Sequence, residues 1–127
     1  MYYTVETEKS FDQAVTDLQE TVVNNKFGVL HIHDIGGTLR SKGIEFDKQC
    51  KVFEVCNPGH AANVLATDMR LNMALPCRVS VYTEAGKTKI GFIKPVPMLE
   101  ALSDNANLLE IAQEVEQTMI KMVDEAK

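Results

Sequence analysis

Residues 50–62 read Cys-Lys-Val-Phe-Glu-Val-Cys-Asn-Pro-Gly-His-Ala-Ala, and this stretch decides the fold because it passes from strand to helix within one turn. In a β run, Phe53 and Val55 fall on one side and Val52, Glu54 and Cys56 on the other. Asn57 is placed to cap a helix by accepting a hydrogen bond from an early N–H. Pro58 at the first helical position loses nothing, because that N–H has no partner anyway. Ala61, Ala62, Val64, Leu65 and Met69 then supply the apolar side of the helix.

Upstream, Tyr2–Thr7 is short and β-favouring, and Ser10 with Gln13 three residues on marks a helix start. Phe11, Ala14, Val15, Leu18 and Val22 recur at helical spacing, so this helix turns one stripe to the core and ends near Lys26–Gly28. Residues 29–35 read as a strand in which Leu30 and Ile32 face the helices, while Val29, His31 and His33 face away. Gly36-Gly37 breaks that strand before a short turn or helical segment through Lys42-Gly43.

Downstream of Leu75-Pro76, two β runs, 77–83 and 87–94, are joined through Glu84-Ala85-Gly86, where Gly86 takes the left-handed conformation a hairpin demands. Pro95 and Pro97 end the sheet, and residues 105–126 form a closing amphipathic helix with Leu108, Ile111, Ala112, Val115, Met119 and Met122 on its packed side. Adjacent antiparallel strands mixed with helices predict an α+β fold: a single, mainly antiparallel sheet of about five strands with helices on one face. Alternation then sends His31, His33, Val52, Glu54, Arg78, Ser80 and Tyr82 to the opposite face, a mixture of apolar and polar groups suited to a partner or ligand.

The 127 residues, 45% of them hydrophobic, fit one domain (1–127) with enough apolar material for a core without disulfide or metal support. Eighteen acidic against thirteen basic residues leave a net charge of -5, which argues against nucleic acid as partner. No stretch approaches the roughly 20 apolar residues of a spanning helix, so no membrane partner is expected. Three cysteines without paired spacing point to free thiols in a reducing compartment, hence the cytoplasm.

Reactive groups crowd together once. Cys56 and His60 lie four residues apart at a helix start, where the helix dipole favours a thiolate and an imidazole could take its proton or share a metal. The plainer reading makes Cys56 a small hydrophobe at a strand end and His60 a solvated first-turn residue. Cys77 and Arg78, at the start of another strand, could add a second thiol and a cation, or Cys77 could simply be core. His31-x-His33 puts two imidazoles on one strand face roughly 7 Å apart at Cα, and Glu54 from the next strand could complete a metal site with them. Exposed histidines on a sheet face are the plainer alternative. Gly36-Gly37-Thr38 lacks the Gly-Lys-Ser/Thr of a phosphate cradle and reads as a turn.

Several segments together carry a resemblance: Gly36-Gly37-Thr38-Leu39 with Lys42-Gly43, Phe53-Glu54-Val55-Cys56-Asn57-Pro58 with Ala61 or Ala62, Leu75-Pro76-Cys77-Arg78-Val79-Ser80-Val81-Tyr82, and Gly86-Lys87-Thr88. Over nearly its whole length the chain resembles the domain of unknown function 302 family, and the Cys-Asn-Pro and Leu-Pro-Cys-Arg segments are the specific parts. The resemblance implies a helix-backed curved sheet of the TATA-binding-protein-like class and a tendency to form dimers. It implies no known reaction, and because the family varies at the position of His60 it lends that residue no metal or catalytic role.

The expectation that follows is a homodimeric binding or assembly module. Cys56, Asn57, Cys77 and Arg78 would line a site for a small anionic or thiol-reactive ligand, with Arg78 holding an anion through its planar donor fork. The alternative is a thiol- or metal-dependent redox or hydrolytic enzyme using Cys56 or Cys77, with His31, His33, Glu54 and His60 as its possible metal ligands. No cofactor is assigned.

Overall fold

A computed structural model describes residues 1–127. The chain runs β1 (Tyr2–Thr7), α1 (Phe11–Asn24), β2 (Gly28–Asp34), α2 (Ile35–Ser41), β3 (Cys50–Cys56) and α3 (Pro58–Thr67). A 3-10 segment (Met69–Ala74) follows, then β4 (Cys77–Glu84), β5 (Lys87–Ile93), α4 (Pro95–Leu102) and α5 (Ala106–Ala126). The five strands form one sheet in the order β1-β5-β4-β3-β2, every neighbouring pair antiparallel. The expected α+β architecture is therefore present.

Local chemistry starts α1 and α5 where the sequence places them. The Ser10 hydroxyl accepts from the Gln13 N–H at 3.1 Å, and the Asn105 carbonyl oxygen from the Leu108 N–H at 3.1 Å, each satisfying a first-turn donor. Ala85 (φ 52°) and Gly86 (φ 75°) are both left-handed, as a two-residue hairpin turn matching the twist of its strands requires.

Two apolar clusters lie on the helix side. The larger packs Phe11, Leu18 and Val22 of α1 and Met119, Met122 and Val123 of α5 against Phe53, Val55, Val79, Val81, Ile90 and Phe92 of the sheet. The smaller gathers Val64, Leu71, Leu99, Leu108 and Ala112 from α3, the 3-10 segment, α4 and the first half of α5. Leu18, Phe53, Val79 and Ile90 have no exposed surface, and truncating one of the larger ones to Ala costs about 3–5 kcal/mol.

Three local expectations are corrected. In β2 the register shifts between Val29 and His31, so Val29 pairs with Val55 and packs on the core, while Leu30 is 61% exposed. The β-bulge inserts one unpaired residue and reverses the alternation on its N-terminal side. Gly36-Gly37-Thr38 is not a turn: β2 ends before it and a helical segment follows, as expected, but all three residues lie in α2, whose first turn is capped by the Asp34 carboxylate accepting from the Gly37 N–H at 3.0 Å. The sheet ends before Pro95, as expected, but Pro95 also occupies the first turn of a further helix, α4, because a proline that stops a strand equally suits a helix start.

The helix-free face of the sheet carries Cys50, Val52 and Glu54 of β3, Arg78, Ser80 and Tyr82 of β4, Gly91 and Ile93 of β5, and Tyr2 and Thr4 of β1, all set by strand alternation.

Candidate functional site

Two concavities adjoin the start of β4. The first, of about 300 Å³, is roofed by α3, α4 and α5 and lies at the seam of the two apolar clusters: Phe27, Val55 and Val115 come from the larger, Val64, Leu99 and Ala112 from the smaller. Its few polar groups are Cys56, Asn57, His60, Asn72 and Cys77. The second, of about 430 Å³, is a depression that opens toward the helix-free face, where Arg78, Ser80, Tyr82, Tyr2 and Val52 wall it, and reaches Phe92 and Met119 of the larger cluster at its other side. Ala74, Pro76, Cys77, Pro95 and Met98 belong to both walls, so only the start of β4 and of α4 separate the two spaces.

The junction that opens the sequence argument positions most of the polar groups. Asn57 follows β3 as the N-cap of α3, with both ends of its amide engaged: Oδ1 accepts from the His60 N–H at 3.1 Å, and Nδ2 donates to the Lys26 carbonyl at 3.1 Å. Lys26 has φ 66°, so the second bond ties α3 to a left-handed turn between α1 and β2. The His60 ring stacks on Phe27 with centroids 6.2 Å apart. Cys77 pairs with Val55 across β3–β4, one residue from Cys56, and packs on the core side. Burial pushes the Cys77 thiol up to about 11; the nearby Cys56 adds to the rise and Arg78 opposes it. Cys77 is therefore a neutral thiol near pH 7, a poor nucleophile and metal ligand. The Cys50 thiol is likewise raised, by burial first and then by Asp34.

A family model described as "Domain of unknown function DUF302" matches residues 3–126. The chain belongs to the DUF302 family. It is also similar to a solved structure, that of an uncharacterized conserved protein DUF302 from Bacillus stearothermophilus: the two are 34% identical, the match covers 99% of this chain and 98% of that one, and the TM-score is 0.93. No curated protein matches the chain. In this DUF302 chain the two segments that carry the resemblance meet in space, since Cys56, Asn57, Pro76 and Cys77 all stand in the wall of the 300 Å³ cavity.

Of the candidate ligand-binding residues, the fold brings Cys56, Asn57 and Cys77 together and sets Arg78 apart, on the wall of the helix-free depression. Of the candidate metal residues, His31, His33 and Glu54 lie together on the helix-free side and His60 lies apart. His33 Nε2 meets Glu54 Oε1 at 2.5 Å, and the His31 and His33 rings lie edge to face at 4.4 Å on the helix-free side, whereas His60 faces the apolar cavity. No group of three or more His, Cys, Asp or Glu is arranged to hold a metal ion. No helix is long and apolar enough to cross a membrane.

Sequence reasoning missed the apolar walls, chiefly Leu65, Met98, Leu99 and Ile111. One available signal was Met98-Leu99-Glu100-Ala101-Leu102 after Pro95, a run of strong helix formers behind a proline suited to a first turn.

Proposed function

We propose that the protein is a homodimeric binding module that houses a small, predominantly apolar ligand in the cavity between α3, α4, α5 and the sheet. The observation that carries this reading is the cavity itself, where fifteen of the twenty lining residues are hydrophobic and only a few polar groups stand among them. A concave, mostly apolar space of about 300 Å³ with a small set of orienting polar groups is the usual form of a small-molecule site. Among the ligand classes expected from sequence, an anion is disfavoured inside this cavity because its wall carries no Lys or Arg. A thiol enzyme acting through Cys77 is disfavoured by the neutral state of that thiol.

The dimer rests on the character of the helix-free face. Tyr2 (75% exposed) and Ile93 (50% exposed) stand on that face, and a two-fold contact there would cover them and roof the depression beside Arg78. The three free thiols favour a reducing compartment, the cytoplasm.

The test is thermal denaturation with and without 1-decanol, using Ala61→Phe to fill the cavity from α3. The reading predicts a raised melting temperature for the natural protein and none for Ala61→Phe, because a ligand that binds only the folded state stabilises it in proportion to occupancy. No shift with the natural protein, or an equal shift in both, overturns it.

A further inference from the structure

The two concavities differ in chemistry yet share a boundary. The cavity under α3 and α4 is apolar and carries no Lys or Arg. The depression on the helix-free face holds one cation, Arg78, with the hydroxyl-bearing Thr4, Ser80 and Tyr82 on the same face, and no acidic side chain lines it. Arg78 is thus the one charged side chain in the wall of the depression, with Glu54 beside it across the strand pair but outside that wall.

Arg78 is also unpaired. Its cross-strand neighbour is Glu54, the natural partner for a cation opposite it on a sheet, but the Glu54 carboxylate is engaged by His33. None of the five ion pairs in the chain includes Arg78. A guanidinium presents a planar fork of donors that fits a carboxylate two bonds at a time. The step from that fork to the apolar cavity is one residue of β4, since Cys77 lines both spaces and Arg78 follows it on the opposite face of the strand. Met98 of α4 also stands in both walls, and its unbranched thioether can turn aside to let a chain pass.

We propose that the ligand is an amphipathic monocarboxylate. Its hydrocarbon part lies in the 300 Å³ cavity, and its carboxylate emerges past Cys77 and Met98 onto the helix-free face to be held by Arg78, with Ser80 and Tyr82 as further donors. This assignment rests on the ligand-binding reading and adds to it the polarity of the ligand and the side on which its head emerges. It also gives the four residues singled out by sequence a joint role despite their separation. Cys56, Asn57 and Cys77 border the tail, and Arg78 holds the head.

The experiment is calorimetric titration of the natural protein, Arg78→Gln and Ala61→Phe with three probes sharing one tail: sodium decanoate, 1-decanol and decyltrimethylammonium. In the single chain Arg78 is exposed and outside every ion pair, so its replacement should leave the core intact, and light scattering of Arg78→Gln checks that the assembly is unchanged. The natural protein should bind decanoate roughly tenfold more tightly than decanol, as one charge-assisted pair allows, and the cationic probe more weakly than either. Arg78→Gln should bring decanoate to the level of decanol and leave decanol unchanged, and Ala61→Phe should abolish both. Equal affinities for decanoate and decanol, or an Arg78→Gln protein that binds decanoate as well as the natural one, would overturn the carboxylate assignment and leave the apolar-ligand reading standing. Failure of every probe to bind the natural protein would overturn both.

Discussion

Asn57 offers the sharpest mutational test, because two hydrogen bonds of one amide hold two different parts of the fold. Replacing it with Ala removes the acceptor that caps α3 and the donor to the Lys26 carbonyl. Loss of the cap costs about 1 kcal/mol, and loss of the second bond, which lies at the surface, adds about 0.5–1 kcal/mol. The sum is about 1.5–2 kcal/mol. For 127 residues, an unfolding entropy of ~2.1 cal/mol/K per residue converts this to a fall in Tm of about 6 °C. Asn57→Asp separates the two roles, since its carboxylate keeps the cap and suits the positive end of the helix but cannot donate to Lys26. It should lose no more than about half as much stability. Calorimetric or dichroism melts of the three proteins measure both effects. An Asn57→Ala protein within about 0.5 kcal/mol of the natural one, or Asn57→Asp as damaged as Asn57→Ala, would refute the reasoning. Unchanged stability with lost decanol binding would instead make Asn57 a ligand contact.

Other expectations follow from the same geometry. With its thiol raised to about 11 by burial, Cys77 should be alkylated far more slowly than a free thiol near neutral pH, and its rate should climb as pH rises toward that value; reaction at the rate of glutathione at about pH 8 would contradict this. The folded pKa lies above the 9.0 of a free thiol, so the unfolded chain loses this proton first, and the contribution of Cys77 to stability should decline as pH rises from about 9 to about 11. Gly91→Ala should cost about 1–3 kcal/mol, because its Cβ would stand 2.7 Å from the Tyr3 carbonyl and 2.9 Å from Thr4 Oγ1 on the paired strand β1. Gly28→Ala, whose Cβ would meet the Cys56 carbonyl at an ordinary 3.9 Å, serves as the mild control, and urea titration of both variants measures the difference. Ile93→Glu, placed on the helix-free face, should convert a dimer to a monomer in light scattering at micromolar concentration, and a natural protein that is already monomeric there would remove the assembly part of the proposal.

The sequence was most legible where structure is set locally. Ser10, Asn57 and Asn105 act as caps within three residues of their partners, and Ala85-Gly86 closes a hairpin from its own backbone preferences. Alternation placed Phe53, Val55, Val79 and Val81 on the core because strands buried on one face keep a strict period of two. The bulge at Leu30 was not legible, since an extra residue is tolerated only once β3 is there to pair against. The cavity was hidden for a stronger reason: its walls come from β2, β3, α3, α4 and α5, and no local pattern records that two apolar clusters meet without filling the seam. Arg78 was grouped with Cys77 by adjacency, yet adjacent strand residues point to opposite faces, and that alternation is what puts the cation on the depression and the thiol on the core side.

The central claim is that the seam between the two apolar clusters is a ligand site and not merely imperfect packing. Methyl-resolved NMR titration with sodium decanoate tests it most directly, because Val64, Leu65, Leu99, Ile111 and Val115 place reporter methyl groups around the cavity. The account predicts saturable shifts concentrated on those five residues, with small shifts for the deep-core methyls of Leu18 and Val22, and their loss in Ala61→Phe. Shifts scattered over exposed residues such as Val23 and Leu102, or no shift at the cavity methyls at saturating probe, would contradict it.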